Sequence, residues 1–489
     1  MIRPVRGRIA TFVVAMVGVS TAVVVTLFIV QRATQPLGAG DLFWQLRTGQ
    51  TILDTGVIPD TETYSYTVAG APWNNHEWLY EATLAAWHRA TGWLGLRIGV
   101  LLLITATLLT VSWPWLRTGR LSFALLQVCI AVVLMAYKFM PAPQTLAMLM
   151  FFIGYRLFLR EDLLTNRRRW LGLCLFMLLF GNLTAESLMF VPLLVADQLG
   201  RVWDQPSRWP KILVWLALPC ALLTVSPPQS SILEYVLLRG QGVNAEFAHL
   251  WDSPLVISSF SQSLAWAIIA AYIALLGVRA WRARSIPRYA ALGLTAVVGA
   301  MLFQRNLFLL LVPMEQMLFA LSERDDRARQ QRFATLAAAA LLVSMAFNVQ
   351  WQPMRSAVLL MPAYWERHIS AVANPVGCLE ALQDLPEGSR VFTKHLWASF
   401  LIDRARNTRV FVDGRNREYP LAIHRAAFQI ERGGPEALRL LDDSRTQWVL
   451  ADPGWLSRVR GSTWQMHGRS ENCALFARKP RPDQQSDPG

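Results

Sequence analysis

Long apolar runs recur along most of the chain, and short arginine-rich breaks separate them. A helix that is apolar all round must lie either in the centre of a large core or in lipid, and a soluble core cannot enclose so many. The first run, IATFVVAMVGVSTAVVVTLFIVQ at residues 9–31, exceeds the roughly 20 residues that cross a bilayer. It is also longer than the core of a secretory signal, and no small-residue cleavage motif follows it. Further runs lie at 94–116, 121–137, 142–159, 170–181, 183–199, 212–226, 257–278, 289–303, 306–321 and 333–348. Together they predict an α-helical polytopic membrane protein of about eleven spans. The stretch 170–199 fits one long helix or two short ones broken near GNLTAES. Composition agrees, since only 16% of residues are charged against about 25% in soluble domains. The net charge of +14 does not indicate nucleic-acid binding, because the arginines fall between apolar runs rather than in one patch.

Those arginines predict orientation instead, since cytoplasmic loops are enriched in Lys and Arg. With Arg3, Arg6 and Arg8 placed inside, the even-numbered loops are also basic: Arg117 and Arg120, Arg156 to Arg169, Arg201 to Lys211, Arg279 to Arg288, and Arg324 to Arg332. The opposite loops are poor in both residues. The pattern predicts an odd number of spans and two large outside pieces, residues 32–93 and 349–489. Residues 1–348 then form the transmembrane domain and 349–478 an outer α/β domain, with 479–489 a disordered tail. Short strands are predicted at RVFTK (390–394), RVFVDG (409–414) and QWVLAD (447–452), with helices at LWASFLIDRA and PLAIHRAAFQIERG between them. Strands alternating with helices suggest a parallel sheet. Cys129, Cys174 and Cys220 fall in spans, where they read as small core residues, while Cys378 and Cys473 lie outside, where a disulfide is permitted.

The first outer piece contains two amphipathic segments. Leu42, Phe43, Leu46, Ile52 and Leu53 form the apolar side of 41–53, and Trp78, Leu79, Leu84 and Trp87 that of 76–90. Aromatic residues beside a span suit the membrane interface, so both segments are predicted to lie on the outer membrane face. Asp41 begins the first of them, where span one emerges.

At this point the sequence resembles a known family. GDLFWQLRTGQTILDTGVIPDTETYSYT, APWNNHEWLYE, FQRNLFLLLVP and RVFVDGRNREYP, in that order along nearly the whole chain, resemble the bacterial integral-membrane glycosyltransferases of the GT-C superfamily, in their poorly characterised multi-span branch. The resemblance implies a sugar taken from a polyprenyl-phosphate carrier and an acidic residue in the first outer loop, the place held by Asp41. It also implies the bacterial inner membrane, with the N-terminus cytoplasmic and the C-terminal domain periplasmic. Two departures from the branch are visible: Asn182 is followed by Thr184 where a His is usual, and the outer end of span three carries Lys138 instead of an Arg-Pro pair.

Each candidate residue has two readings. Asp41 is either the N-cap of the 42–53 helix or the base that takes the acceptor proton, and one residue can do both. His76 and Glu77 either open the second helix behind an Asn75 cap, or line the same cleft and bind sugar, acceptor or a divalent cation such as Mg or Mn. Asp60 and Glu62 are either further metal ligands or a solvated turn; the sequence fixes no metal requirement. Lys138 and Arg305 stand at outer span ends against the basic-inside trend. They either snorkel to the interface or hold a lipid phosphate, which Arg can grip with two parallel hydrogen bonds. Glu186, near Asn182, is a buried functional acid or a solvated loop residue. Asp413 and Gly414 read as a turn, with Arg415 and Tyr419 as acceptor contacts. The reading that combines these is a membrane glycosyltransferase using a lipid-linked donor and an acceptor that is a glycan, a lipid or a protein. The rival is a non-catalytic transporter, flippase or scaffold of envelope polysaccharide assembly.

Overall fold

The computed structural model describes residues 2–479 apart from 39, 136–137, 160–162, 164–165, 204, 233–259, 284–289, 303, 323–325, 349–358 and 460–462. The predicted disordered tail thus lies almost wholly outside the described residues. The chain divides into two compact units. One comprises residues 1–35, 96–225 and 248–366, and the other 36–95, 226–247 and 367–489. The first outer loop therefore shares a unit with the C-terminal residues.

The first unit is helical. Among the described residues its helices of more than ten residues are Ile2–Thr34, the part of Trp78–Arg117 from Leu96 onward, Leu121–Met135, Pro143–Leu157, Arg167–Leu183, Phe190–Arg201, Trp209–Leu223, Phe260–Ala283, Ala290–Leu302, Leu311–Ser322 and Arg327–Asn348. Every predicted apolar run carries helix. Three helices, Thr11–Thr34, Trp78–Arg117 and Ser261–Arg282, are long and apolar enough to cross a membrane, and Leu121–Met135, Ala290–Leu302 and Asn306–Ser322 are shorter apolar helices. The 170–199 stretch resolves as two helices, because the 3-10 turn Ala185–Met189 interrupts it after Thr184. The interior is aromatic: Phe151 meets Phe152, Phe190 and Phe308 edge to face. Some buried polar groups find partners within the unit. Arg97, fully buried, donates to the carbonyls of Thr34, Trp365 and Tyr364, and Arg156 pairs with Glu315.

The second unit is built on a five-stranded sheet in the order β2-β1-β3-β5-β4. Its strands are β1 (Ser389–Thr393), β2 (Thr408–Val410), β3 (Trp448–Ala451), β4 (Trp464–Arg469) and β5 (Ala474–Arg478). The three predicted strands are present and parallel to one another. The expected parallel sheet proves mixed, because β5 and β4 form an antiparallel extension. Residues of the first loop continue the sheet at its other edge: Val410 N donates to Tyr64 O and Tyr66 N to Val410 O. Cys378 and Cys473 are joined in a disulfide.

The first amphipathic segment forms the helix Leu42–Thr55. Most of its apolar side is covered by protein, while Leu53 is left exposed. Leu42, Phe43 and Leu46 are fully buried. The helix His395–Arg404 supplies the cover: Phe400 packs edge-on against Phe43 with centroids 5.2 Å apart, and Ser399 Oγ accepts from Trp44 N at 3.0 Å. Trp87 of the second segment remains exposed. That segment begins its helix at Trp78 and breaks at Gly92, whose φ of 65° and ψ of −166° no helix accommodates. The break falls between the predicted 76–90 segment and the 94–116 run.

Candidate functional site

Asp41 occupies the N-cap position of Leu42–Thr55, yet its side chain makes no capping bond to the backbone. Its Oδ1 instead accepts from Trp44 Nε1 at 3.1 Å. The carboxylate lies against the Asp413–Gly414–Arg415 turn so closely that a Cβ on Gly414 would stand 2.0 Å from Oδ1. Asp41 stays in contact with solvent, although protein surrounds the carboxylate on its other sides. That burial pushes its pKa up to about 6. The Trp44 hydrogen bond and the charge of His395 pull it down, while Glu77 and Asp413 push it further up. A carboxylate poised there is basic enough to take a proton and ionised enough to do so near neutrality.

Glu77 lies beside Gln45, which donates to its Oε2 at 3.3 Å, and its Oε1 is 3.6 Å from His76 Nε2. Both residues precede the helix that starts at Trp78. Asn75 does not cap that helix with its side chain; it donates to Glu81 Oε2 at 2.7 Å. Glu81 is fully buried. Burial raises its pKa well above the ordinary carboxylate value, and the Asn75 hydrogen bond only partly offsets this.

Behind Asp41 sits a buried ion cluster. The Arg415 guanidinium pairs with both oxygens of Asp413 and, at 2.6 Å through Nη1, with Glu62 Oε2. It lies over the rings of Trp73, Tyr64 and Trp44, with its carbon 4.6, 4.9 and 5.8 Å from their centroids. Tyr419 Oη donates to Asp413 Oδ2 at 2.7 Å. Burial alone would raise the Asp413 pKa, but the Arg415 charge and hydrogen bonds hold it below the ordinary value. Asp413 Oδ1 also accepts from Arg415 N at 2.9 Å, which is the predicted turn. Glu62, predicted to sit in a solvated turn or on a metal, is buried, and its Oε1 accepts from Tyr64 N and Ser65 N. Asp60 is exposed.

Among the described residues no group of three or more His, Cys, Asp or Glu is arranged to hold a metal ion. Asp413 and Glu62 are engaged by Arg415, and Glu81 accepts from Asn75. This donor set does not fit a Mg or Mn ion, and no step below runs through one.

The other candidates belong to the first unit. Lys138 is buried, with Nζ 5.3 Å from the centroid of Phe308. Phe308 belongs to the 3-10 turn Gln304–Leu310, which also contains Arg305. The Arg305 side chain lies outside the described residues. Glu186 is buried and hydrogen-bonded by Thr184 Oγ1, so it is not a solvated loop residue. Asn182 Nδ2 donates to Leu178 O and Val225 O at 2.9 and 2.8 Å.

Solved structures share this architecture. Apo ArnT from Cupriavidus metallidurans aligns over 96% of this chain and 99% of its own, with a TM-score of 0.51 and 12% identity. The apo oligosaccharyltransferase of Archaeoglobus fulgidus aligns over 95% of this chain and 75% of its own, with a TM-score of 0.51 and 12% identity. These proteins are GT-C membrane glycosyltransferases. The chain has the GT-C fold. A further structure with this fold is AglB of Archaeoglobus fulgidus in complex with an inhibitory peptide and a dolichol-phosphate. It aligns over 96% of this chain and 75% of its own, with a TM-score of 0.50 and 11% identity. No protein-family profile and no curated protein matches the sequence.

One neighbour of Asp41 was not anticipated from the sequence. His395 opens the helix after β1, and its Nε2 lies 2.8 Å from Asn416 Oδ1. The stretch TKHLW offers only a lone histidine after a strand, which carries no motif.

Proposed function

We propose that the protein is a membrane glycosyltransferase that moves a sugar from a polyprenyl-phosphate carrier to a periplasmic or lipid acceptor. The observation that carries this reading is Asp41: a solvent-reachable carboxylate with a pKa of about 6, placed where the first long apolar helix ends, on a GT-C fold. In the proposed step, the acceptor hydroxyl oxygen attacks the anomeric carbon and its proton passes to Asp41. The bond from that carbon to the carrier phosphate breaks, and the phosphate leaves with the electron pair. Arg305 and Lys138 hold the departing phosphate. Glu77 and His76 bind sugar or acceptor hydroxyls beside Asp41, while Glu186 and Asn182 are accessory. Asp413, Arg415 and Tyr419, enclosed by one another, position the Gly414 turn under the base. The dolichol-phosphate bound by AglB supports a lipid-linked donor. The Cys378–Cys473 disulfide suits an oxidising compartment and supports the periplasmic placement of residues 32–93 and 349–489.

The test is Asp41→Asn. Asn is as good an N-cap as Asp, and it removes only charge and basicity. Transfer from a purified polyprenyl-phosphate sugar should fall about 100-fold to 10,000-fold, the usual effect of losing a general base, with folding and donor binding retained. Wild-type transfer in this variant would retire Asp41 as the base.

A further inference from the structure

The two oxygens of the Asp41 carboxylate stand in different surroundings. Oδ1 is closed in from two directions: Trp44 Nε1 donates to it at 3.1 Å, and a Cβ on Gly414 would stand 2.0 Å from it. The same Cβ position lies 3.7 Å from Trp44 Nε1, so the indole and the turn meet at this one oxygen. Oδ2 makes no hydrogen bond among the described residues, and Asp41 is in contact with solvent.

The indole is held where it is. Asp41 has near-helical dihedrals, φ −95° and ψ −15°, so Trp44, three residues on, shares its face. Trp44 is only 7% exposed. Its N–H donates to Ser399 Oγ at 3.0 Å, and its carbonyl accepts from Thr48 Oγ1 at 2.8 Å. Its ring meets Trp73 edge to face with centroids 6.2 Å apart, and the Arg415 guanidinium lies over it. An indole N–H only donates. Oδ1 is therefore an acceptor already in use, and a proton arriving at Asp41 goes to Oδ2.

We propose that Trp44 is the positioning residue that sorts the two oxygens of Asp41, holding Oδ1 at the Gly414 turn and leaving Oδ2 as the atom that takes the acceptor proton. The inference rests on Asp41 being the base. In the step, the acceptor O–H bond breaks and its hydrogen bonds to Oδ2. The electron pair stays on the acceptor oxygen and forms the bond to the anomeric carbon as the phosphate leaves. Without the indole the carboxylate turns about its single bonds, and neither oxygen is kept at the attacking hydroxyl. A donor to the ionised form also favours ionisation, so losing it makes Asp41 harder to ionise. The other ionisable groups acting on Asp41 are His395, Glu77 and Asp413, with Arg415 paired to Asp413; a change confined to the indole N–H alters none of them.

The test uses the full chain in detergent with two variants, Trp44→Phe and Trp44→benzothienylalanine. The second keeps the bicyclic shape and replaces only the N–H, by sulfur. In both, kcat should fall about 10-fold to 100-fold, the equivalent of one charged hydrogen bond, with the donor KM unchanged. The acidic limb of the rate should move up by about 1 pH unit. The infrared carboxyl band that Asp41→Asn removes should shift with it, from a wild-type midpoint of about 6. A Trp44 that only fills space predicts wild-type kcat and an unmoved band in the benzothienylalanine variant, and that result would overturn the proposal. The same variant carries the test if Trp44→Phe fails to fold. Failure of the base reading shows separately, as wild-type transfer in Asp41→Asn, and would take this inference with it; an inactive Asp41→Asn beside a fully active benzothienylalanine variant would overturn the inference alone.

Discussion

Adding one methyl group at Gly414 separates the position of Asp41 from its chemistry. A Cβ there would lie 2.0 Å from Asp41 Oδ1, 3.2 Å from Cγ and 3.7 Å from Trp44 Nε1. Carbon and oxygen settle at about 3.3 Å or more, so the carboxylate must retreat by about 1 Å. Gly414 is not among the glycines with positive φ, and its backbone therefore accepts alanine without strain. Asp41 is in contact with solvent and free to swing outward, which should keep the stability cost of Gly414→Ala within about 1 kcal/mol. The functional cost is larger. The Trp44 hydrogen bond at 3.1 Å is lost, and a catalytic group displaced by about 1 Å commonly costs about 100-fold in rate. Gly40→Ala is the matched control, since its Cβ would meet only Leu396 at 3.7 Å, an ordinary contact. Initial rates of sugar transfer and thermal melts of both variants supply the readout. Wild-type transfer in Gly414→Ala would refute the placement of Asp41 as the reacting group. A loss of rate accompanied by several kcal/mol of destabilisation would refute the claim that only the carboxylate moved.

Arg415→Met leaves Asp413 and Glu62 buried without their cation and should destabilise the second unit by about 3–5 kcal/mol, measured by denaturant unfolding. Serine at Cys378 and Cys473 opens a bridge spanning 95 residues and should cost about 2–5 kcal/mol, seen as the same fall in melting temperature that reductant produces in wild type. Arg305→Ala should weaken polyprenyl-phosphate binding by about 1.5–3 kcal/mol, with Arg305→Lys recovering only part; native mass spectrometry of the co-purified lipid reads the difference. Because the Asp41 pKa is raised from about 4 to about 6, the folded chain holds this proton through a range in which the unfolded chain has released it. Its contribution to stability is complete below about pH 4 and is lost as pH rises through about 6, while transfer rises over the same window; melts and rates of wild type against Asp41→Asn isolate both trends.

What the sequence disclosed follows from the range of the interactions involved. The apolar runs and the three parallel strands are local patterns, and they were legible, whereas the stretch 170–199 fitted one helix or two until the fold showed the 3-10 turn Ala185–Met189. β4 was not, because its burial alternates poorly: only Trp464 is buried, while Gln465, Met466 and His467 are exposed. The amphipathic side of Leu42–Thr55 was legible, but its partner was not. An apolar stripe records that something covers it and not whether that cover is lipid or a helix some 350 residues away. Glu62 read singly as a metal ligand or a turn acid and Arg415 as an acceptor contact, because only the fold brings them within 2.6 Å. His395 carried no local signal at all. The candidate site is therefore half legible: Asp41 could be singled out from its position after the first apolar run, and the groups packed around it could not.

That division explains why a buried arginine stands where a hydrophobic side chain would pack. Buried ion clusters are a poor source of stability, and apolar replacements of similar volume are often as stable or more so. Here the cluster fixes register. Glu62 is held by Tyr64 N and Ser65 N at one end and Arg415 at the other, while the backbones of Tyr64 and Tyr66 pair with Val410. Sliding the first loop by one residue along β2 would leave two buried carboxylates unpaired, a penalty that an apolar contact would not impose. Gly414 follows β2 by four residues, so the register that satisfies Arg415 also sets the turn against Asp41, with its Cα hydrogens where any other residue would place a Cβ. The ion cluster thus joins two distant parts of the sequence at a single alignment, and the reach of the Asp41 carboxylate is decided by that alignment rather than by the helix it precedes.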